Sequence, residues 1–141
     1  MKRRGDWQQR LGALIDEART ARAFEWGTFD CCLFVCEAIH AVTEIDIGDR
    51  FRGKYHDEAG AQALVGDRGL AAFIDEIAEE IGAPHIMPTY ARAGDVVLAF
   101  NQDNQPTIGV VDLSFRFARF ASPRGLFAAS MKHWRQAWRI G

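Results

Sequence analysis

At 141 residues, 48% apolar and 26% charged, the chain is long enough for one domain with a real core and too apolar for a disordered segment. Its net charge of −2 gives no electrostatic case for nucleic acid or an anionic membrane as the main partner. The opening Met1-Lys2-Arg3-Arg4 runs into Gly5-Asp6-Trp7 without an apolar stretch, so neither a signal peptide nor a membrane span is expected.

Residues 6–22 predict an amphipathic helix: Trp7, Leu11, Leu14, Ile15 and Ala18 recur at helical spacing, and Asp6 with Gln9 reads as a capping box. Gly27 and Asp30 break the chain before a second helix, Cys31 to Val42. Its Leu33, Phe34, Val35, Cys36, Ala38, Ile39 and Val42 cover nearly every face, the mark of a helix at the centre of a domain. Four glycines between residues 45 and 68 predict turns and one short helix. Leu70, Phe73, Ile74, Ile77 and Ile81 then form the stripe of a clearer helix, with Asp67 near its start and Gly82 and Pro84 ending it.

From Gly94 the pattern changes to short β-prone runs: residues 95–100, 107–113, 114–120, 126–130 and 136–140. Ser122-Pro123-Arg124-Gly125 reads as a type I turn. In Ser114-Phe115-Arg116-Phe117-Ala118-Arg119-Phe120 the alternation breaks, which predicts a bulge or a strand end. Helices first and strands second, without βαβ alternation, give an α+β fold with an antiparallel sheet. The chain reads as one domain over 1–141, helical over about 6–82 and sheet over about 95–140.

All three cysteines fall within residues 31–36. No C-x-x-C pair or paired histidine accompanies them, so no metal and no cofactor is expected. Cys31 and Cys32, adjacent on a helix and about 100° apart, are poor disulfide partners. Cys32 and Cys36 sit among apolar residues and read as small buried hydrophobes. Cys31 differs by position. With Asp30 as N-cap it occupies the first helical turn, where unpaired backbone N–H groups and the helix dipole favour a thiolate. An Asp30 carboxylate turned toward the sulfur would oppose that effect.

Phe24-Glu25-Trp26-Gly27 followed by Asp30-Cys31 resembles the Y-x-W-G-G…D-C-S-G-L signature of NlpC-type cysteine peptidases, a compact branch of the papain-like fold. Gly94-Asp95-Val96-Val97-Leu98-Ala99-Phe100 is similar to that family's G-D-L-V-x-F strand, and Thr107-Ile108-Gly109-Val110-Val111 falls where it has H-V-G-I-Y. More closely, the chain resembles small phage and prophage proteins encoded among tail genes. The shared features are Trp7, Trp26-Gly27, Asp30-Cys31, Gly94-Asp95, Gly125-Leu126 and Ala137-Trp138-Arg139. The resemblance implies a papain-like fold in which Cys31, at a helix N-terminus against an antiparallel sheet, attacks an amide carbonyl. A histidine would act as base and then acid, with Trp26, Gly27 and Asp30 supporting the site.

Four positions depart from that pattern. Thr107 stands at the histidine position and does not titrate near neutrality; Phe24 replaces the tyrosine; Cys32 and Leu33 replace serine and glycine. Of the four histidines, His40 lies roughly 13 Å along the helix from Cys31, His56 and His85 sit in loops, and His133 near the last strand could fold back. Two expectations follow. One is a tail-assembly or interaction protein on a degenerate peptidase fold, made in the cytoplasm and associated with phage virions, with tail components as partners and Ala137-Trp138-Arg139 as part of the docking surface. The other is an active peptidase or amidase cutting peptidoglycan stem peptides with Cys31 as nucleophile.

Overall fold

The computed structural model describes residues 1–141. Four helices precede and flank the sheet: α1 (Trp7–Thr20), α2 (Cys31–Thr43), α3 (Glu58–Val65) and α4 (Leu70–Ile81). Six strands follow: β1 (His85–Ile86), β2 (Val96–Phe100), β3 (Pro106–Val111), β4 (Phe117–Ser122), β5 (Gly125–Ser130) and β6 (Gln136–Trp138). They form one sheet in the order β1-β6-β2-β3-β4-β5, every pair antiparallel. The α+β class inferred from helix-then-strand order is therefore observed. The sheet begins ten residues before the Asp95 expected from sequence, because β1 is a two-residue edge strand too short to show alternation. No helix is long and apolar enough to cross a membrane.

Strand period 2 sorts the sheet residues between two apolar layers. Val96, Leu98, Ile108, Val110 and Ala121 face the helices and join α2 in the larger core. Val97, Ala99, Val111, Ala118 and Phe120 form a smaller core on the other face, closed by Ala91 and Trp134. This explains why β2 reads as an unbroken apolar run: it is buried on both sides. Helix α2 buries Leu33, Phe34, Val35, Cys36, Ala38, Ile39, Val42 and Thr43, as expected of a helix without a polar face. Between α2, α4 and the sheet lies a cavity of about 50 Å³ lined only by apolar residues, among them Cys36, Ile77 and Trp138. Helix α3 is the exception to this packing, since none of its eight residues is buried.

A second organiser is polar. The Asp95 carboxylate is fully buried and accepts from Arg3 Nη2 (3.0 Å), Arg139 Nε (3.0 Å), Arg92 N (3.0 Å) and Ile140 N (2.9 Å). One side chain thus ties both chain ends to the start of β2. The Ala137-Trp138-Arg139 end is consequently not a docking surface. Ala137 and Trp138 are buried, Trp138 donates from Nε1 to Asp75 Oδ1 (2.8 Å) and stacks on His85, and Arg139 is held by Asp95 and by the Tyr90 carbonyl. The spacing of that motif gave no sign of its direction, because a three-residue strand shows too little alternation to read.

Other departures are local. Asp6 makes no capping bond; its carboxylate pairs with Arg10 at 2.9 Å, one turn along the helix. Helix α4 starts at Leu70 with Gly69 as N-cap, three residues after Asp67, and ends at Gly82 in the left-handed region as expected. The run 114–120 is strand only from Phe117. Asp112 accepts from the backbone and side chain of Ser114 and from Arg119, and Phe115 takes φ +66°, so the chain turns through 112–116 before β4. The broken alternation marked that strand end.

Candidate functional site

The segment before α2 is a tight loop closed by reciprocal backbone bonds between Glu25 and Phe29. Gly27 sits at its tip with φ +82°, and a β-carbon there would lie 1.9 Å from the Tyr55 carbonyl oxygen. Only glycine satisfies both demands. Its carbonyl accepts from Gly53 N (2.8 Å), so the loop is pinned against the 51–56 segment. Asp30 follows as the N-cap of α2, almost completely buried. Its carboxylate accepts from Leu33 N (2.9 Å), Gly27 N (3.0 Å) and the Tyr55 hydroxyl. The cap bond satisfies an otherwise unpaired helix N–H, and the other two fix the loop and the Tyr55 strap around it. Burial, then the Asp30 bond, pushes the Tyr55 hydroxyl far above its ordinary pKa, so it stays a donor.

Cys31 is thereby placed in the first turn of α2, half-buried. Its thiol pKa is lowered. The leading cause is a hydrogen bond from the Cys32 thiol; burial and the Asp30 charge oppose it, and the Thr107 hydroxyl and the Cys32 backbone N–H reinforce it. Cys32 moves well above the ordinary thiol value, chiefly because it is the donor in that pair and secondly because of burial. Burial and Asp30 push Cys36 up to about 12. The sequence reading placed Cys32 wholly in the core. It is half-buried instead, packed on the core on one side and facing Cys31 on the other.

Cys31 opens onto a cleft of about 840 Å³. Trp26, Phe24, Asp30, Cys31 and Thr107 all line it, so the structure brings the separate sequence blocks to one place, with Gly27 shaping the loop beneath. Thr107, on β3 opposite Ala99, is buried. None of the four histidines lines the cleft. His40 contacts Arg4 near the far end of α2, His85 stacks on Trp138, and His56 and His133 are exposed. Much of the remaining wall comes from α3, from Phe51, Tyr55 and Phe73, and from the segments 66–70, 101–107 and 121–127.

Sequence reasoning missed Tyr55, which has no motif; its role comes from a contact 25 residues away from Asp30 in the chain. It also missed Glu58, Asp67 and Asp103, three cleft carboxylates in segments that read as turns. The site joins a thiol at a helix N-terminus to a second thiol and a hydroxyl, and no imidazole lines it. Brief iodoacetamide treatment of the native protein is expected to label Cys31 first, at a rate that rises with pH as its thiol ionises. Cys36, buried and protonated, stays unlabelled until the protein unfolds. Peptide mass spectrometry reads the order, and preferred labelling at Cys36 would contradict the placement.

A comparison with curated proteins finds no match. The sequence profile of a family described as a domain of unknown function (DUF6950) matches residues 2–140, nearly the whole chain. That span takes in the Trp26–Cys31 loop, Thr107 and the Asp95 hub alike, and the chain belongs to the DUF6950 family.

Proposed function

We propose that this chain is a papain-like domain of the NlpC type whose peptidase site has lost its base, and that it acts in phage tail assembly as a binding protein. The observation that carries this reading is the pairing of Cys31 with Thr107. The thiol sits at a helix N-terminus beside a strand of an antiparallel sheet, and the residue facing it from that strand is a threonine. Amide cleavage needs a group that protonates the leaving amine, and acid–base catalysis by one such group is worth about 10²–10⁴-fold. The Cys32 thiol and Thr107 hydroxyl stabilise a thiolate but do not cycle a proton near neutrality. In this reading the protein is made in the cytoplasm and carried with tail components into the virion.

A second reading, an active peptidase or amidase on peptidoglycan stem peptides, is favoured by one observation, that Cys31 lies in the first turn of α2 and lines the cleft. Peptidoglycan fragments incubated with wild type, Cys31→Ala and Thr107→His separate the two. The expected result is no Cys31-dependent cleavage by wild type and measurable cleavage by Thr107→His. Robust Cys31-dependent turnover by wild type would overturn the binding reading and establish the second.

A further inference from the structure

The walls of the cleft carry a consistent chemistry. Glu58 on α3, Asp67 in the loop before α4 and Asp103 in the β2–β3 loop line it and are exposed, and none of them is in an ion pair. No lysine, arginine or histidine lines the cleft to balance them. Nearby arginines are engaged elsewhere: Arg68 with Glu76, Arg50 with Glu80 and Arg52 with Asp46. The three carboxylates come from three different segments, so the cleft's geometry, not local sequence, gathers them.

The same cleft is lined by Phe24 and Trp26, half-buried and packed edge to face at 4.9 Å between ring centroids. Aromatic faces next to unpaired carboxylates attract a planar cation twice, through the ring quadrupole and through charge. Guanidinium fits better than ammonium, because it stacks flat on a ring and offers a fork of donors to a carboxylate. The cleft volume lies within the range of ligand sites, large enough for several peptide side chains and far larger than one ion requires.

We infer that the cleft is a docking groove for an extended, arginine-bearing peptide segment of a partner protein, with Trp26 and Phe24 taking a guanidinium and Glu58, Asp67 and Asp103 supplying the opposing charge. This rests on the reading that the cleft binds without cutting. Charge complementarity selects the occupant: an acidic segment or a nucleic acid backbone meets uncompensated carboxylates and is repelled. Attraction of this kind weakens as salt screens it.

The test uses the full chain and a short synthetic peptide, blocked at both ends, that repeats serine–arginine–leucine. Controls replace arginine by glutamine or by glutamate. Calorimetry is expected to show binding of the arginine peptide that weakens with added salt, and no binding of the glutamate peptide. The triple variant Glu58→Gln/Asp67→Asn/Asp103→Asn, altered only at exposed positions, should bind the arginine peptide about tenfold more weakly. Trp26→Leu, shown folded by circular dichroism, should also weaken it. Equal binding of the arginine and glutamate peptides, absence of arginine-peptide binding, or a triple variant with unchanged affinity would overturn the inference. Cys31-dependent hydrolysis of the bound arginine peptide would uphold the groove and overturn the non-cutting reading; an inert wild type that binds no peptide would do the reverse.

Discussion

Asp95→Ala is expected to lower the unfolding free energy by about 3–5 kcal/mol, the range for removing one partner of a buried charge cluster. The carboxylate serves two arginines and two backbone N–H groups, and it is completely buried. Its loss leaves Arg3 part-buried without a counter-charge, although burial already lowers the Arg3 pKa. The N–H of Ile140 loses its acceptor at the end of the chain, and that of Arg92 loses its acceptor at the turn into β2. Asp95→Asn keeps the shape and one acceptor oxygen, so a smaller loss is expected. Urea denaturation with fitted midpoints and slopes measures both variants. A loss below about 1 kcal/mol for the alanine variant would mean the cluster is no stronger than an exposed ion pair.

Gly27→Ala is expected to cost about 2–5 kcal/mol by a different route. A left-handed backbone costs a residue with a β-carbon about 1–2 kcal/mol, and overpacking adds about 1–3 kcal/mol. The obstacle is the Tyr55 carbonyl, which is main chain and cannot swing aside like a side chain. Relief requires the loop or the 51–56 segment to move, which would pull Gly27 N and the Tyr55 hydroxyl from Asp30. The variant should therefore also change the Cys31 alkylation rate under native conditions, whereas Asp95→Ala, on the other side of the core, should not. Denaturant titration together with labelling kinetics checks both halves. A Gly27→Ala protein with wild-type stability and wild-type Cys31 reactivity would show that the loop relaxes freely.

The parts of the fold legible in the sequence were those fixed by local patterns. Helix α2 announced itself through Asp30 and its apolar girth, and β2 and β3 through runs of β-branched residues between turn signals. The site was half legible. Asp30 and Cys31 could be nominated from the helix cap, and Trp26 and Thr107 from the resemblance of the blocks around them, but Tyr55 and the cleft carboxylates could not, because they reach the site only through tertiary contacts of loops that read as turns. Errors followed the same line. Asp6 looked like a cap since aspartate near a helix start usually is one, yet it found Arg10. The terminal Ala137-Trp138-Arg139 was read outward, and only the sheet order shows that β6 lies between β1 and β2 and turns that motif inward.

Helix α3 has an energetic consequence of its own. With eight residues, none buried, it is too short to hold itself together and takes little from the core. The Asp57 cap bond to Gly60 N (2.7 Å) is its main local anchor, and Gly66 and Gly69, both in the left-handed region with open space around them, follow it. Its opening free energy is therefore set apart from the global one, as for a sub-global unit that exchanges its amides without unfolding the rest. A substitution at Asp95 that weakens the whole domain would leave the shape of this cleft wall unchanged. Conversely, changes at Asp57 or Gly66 would alter how often this wall of the cleft unravels while leaving the melting of the sheet where it was. Stability and access to Cys31 are thus properties that selection can adjust separately.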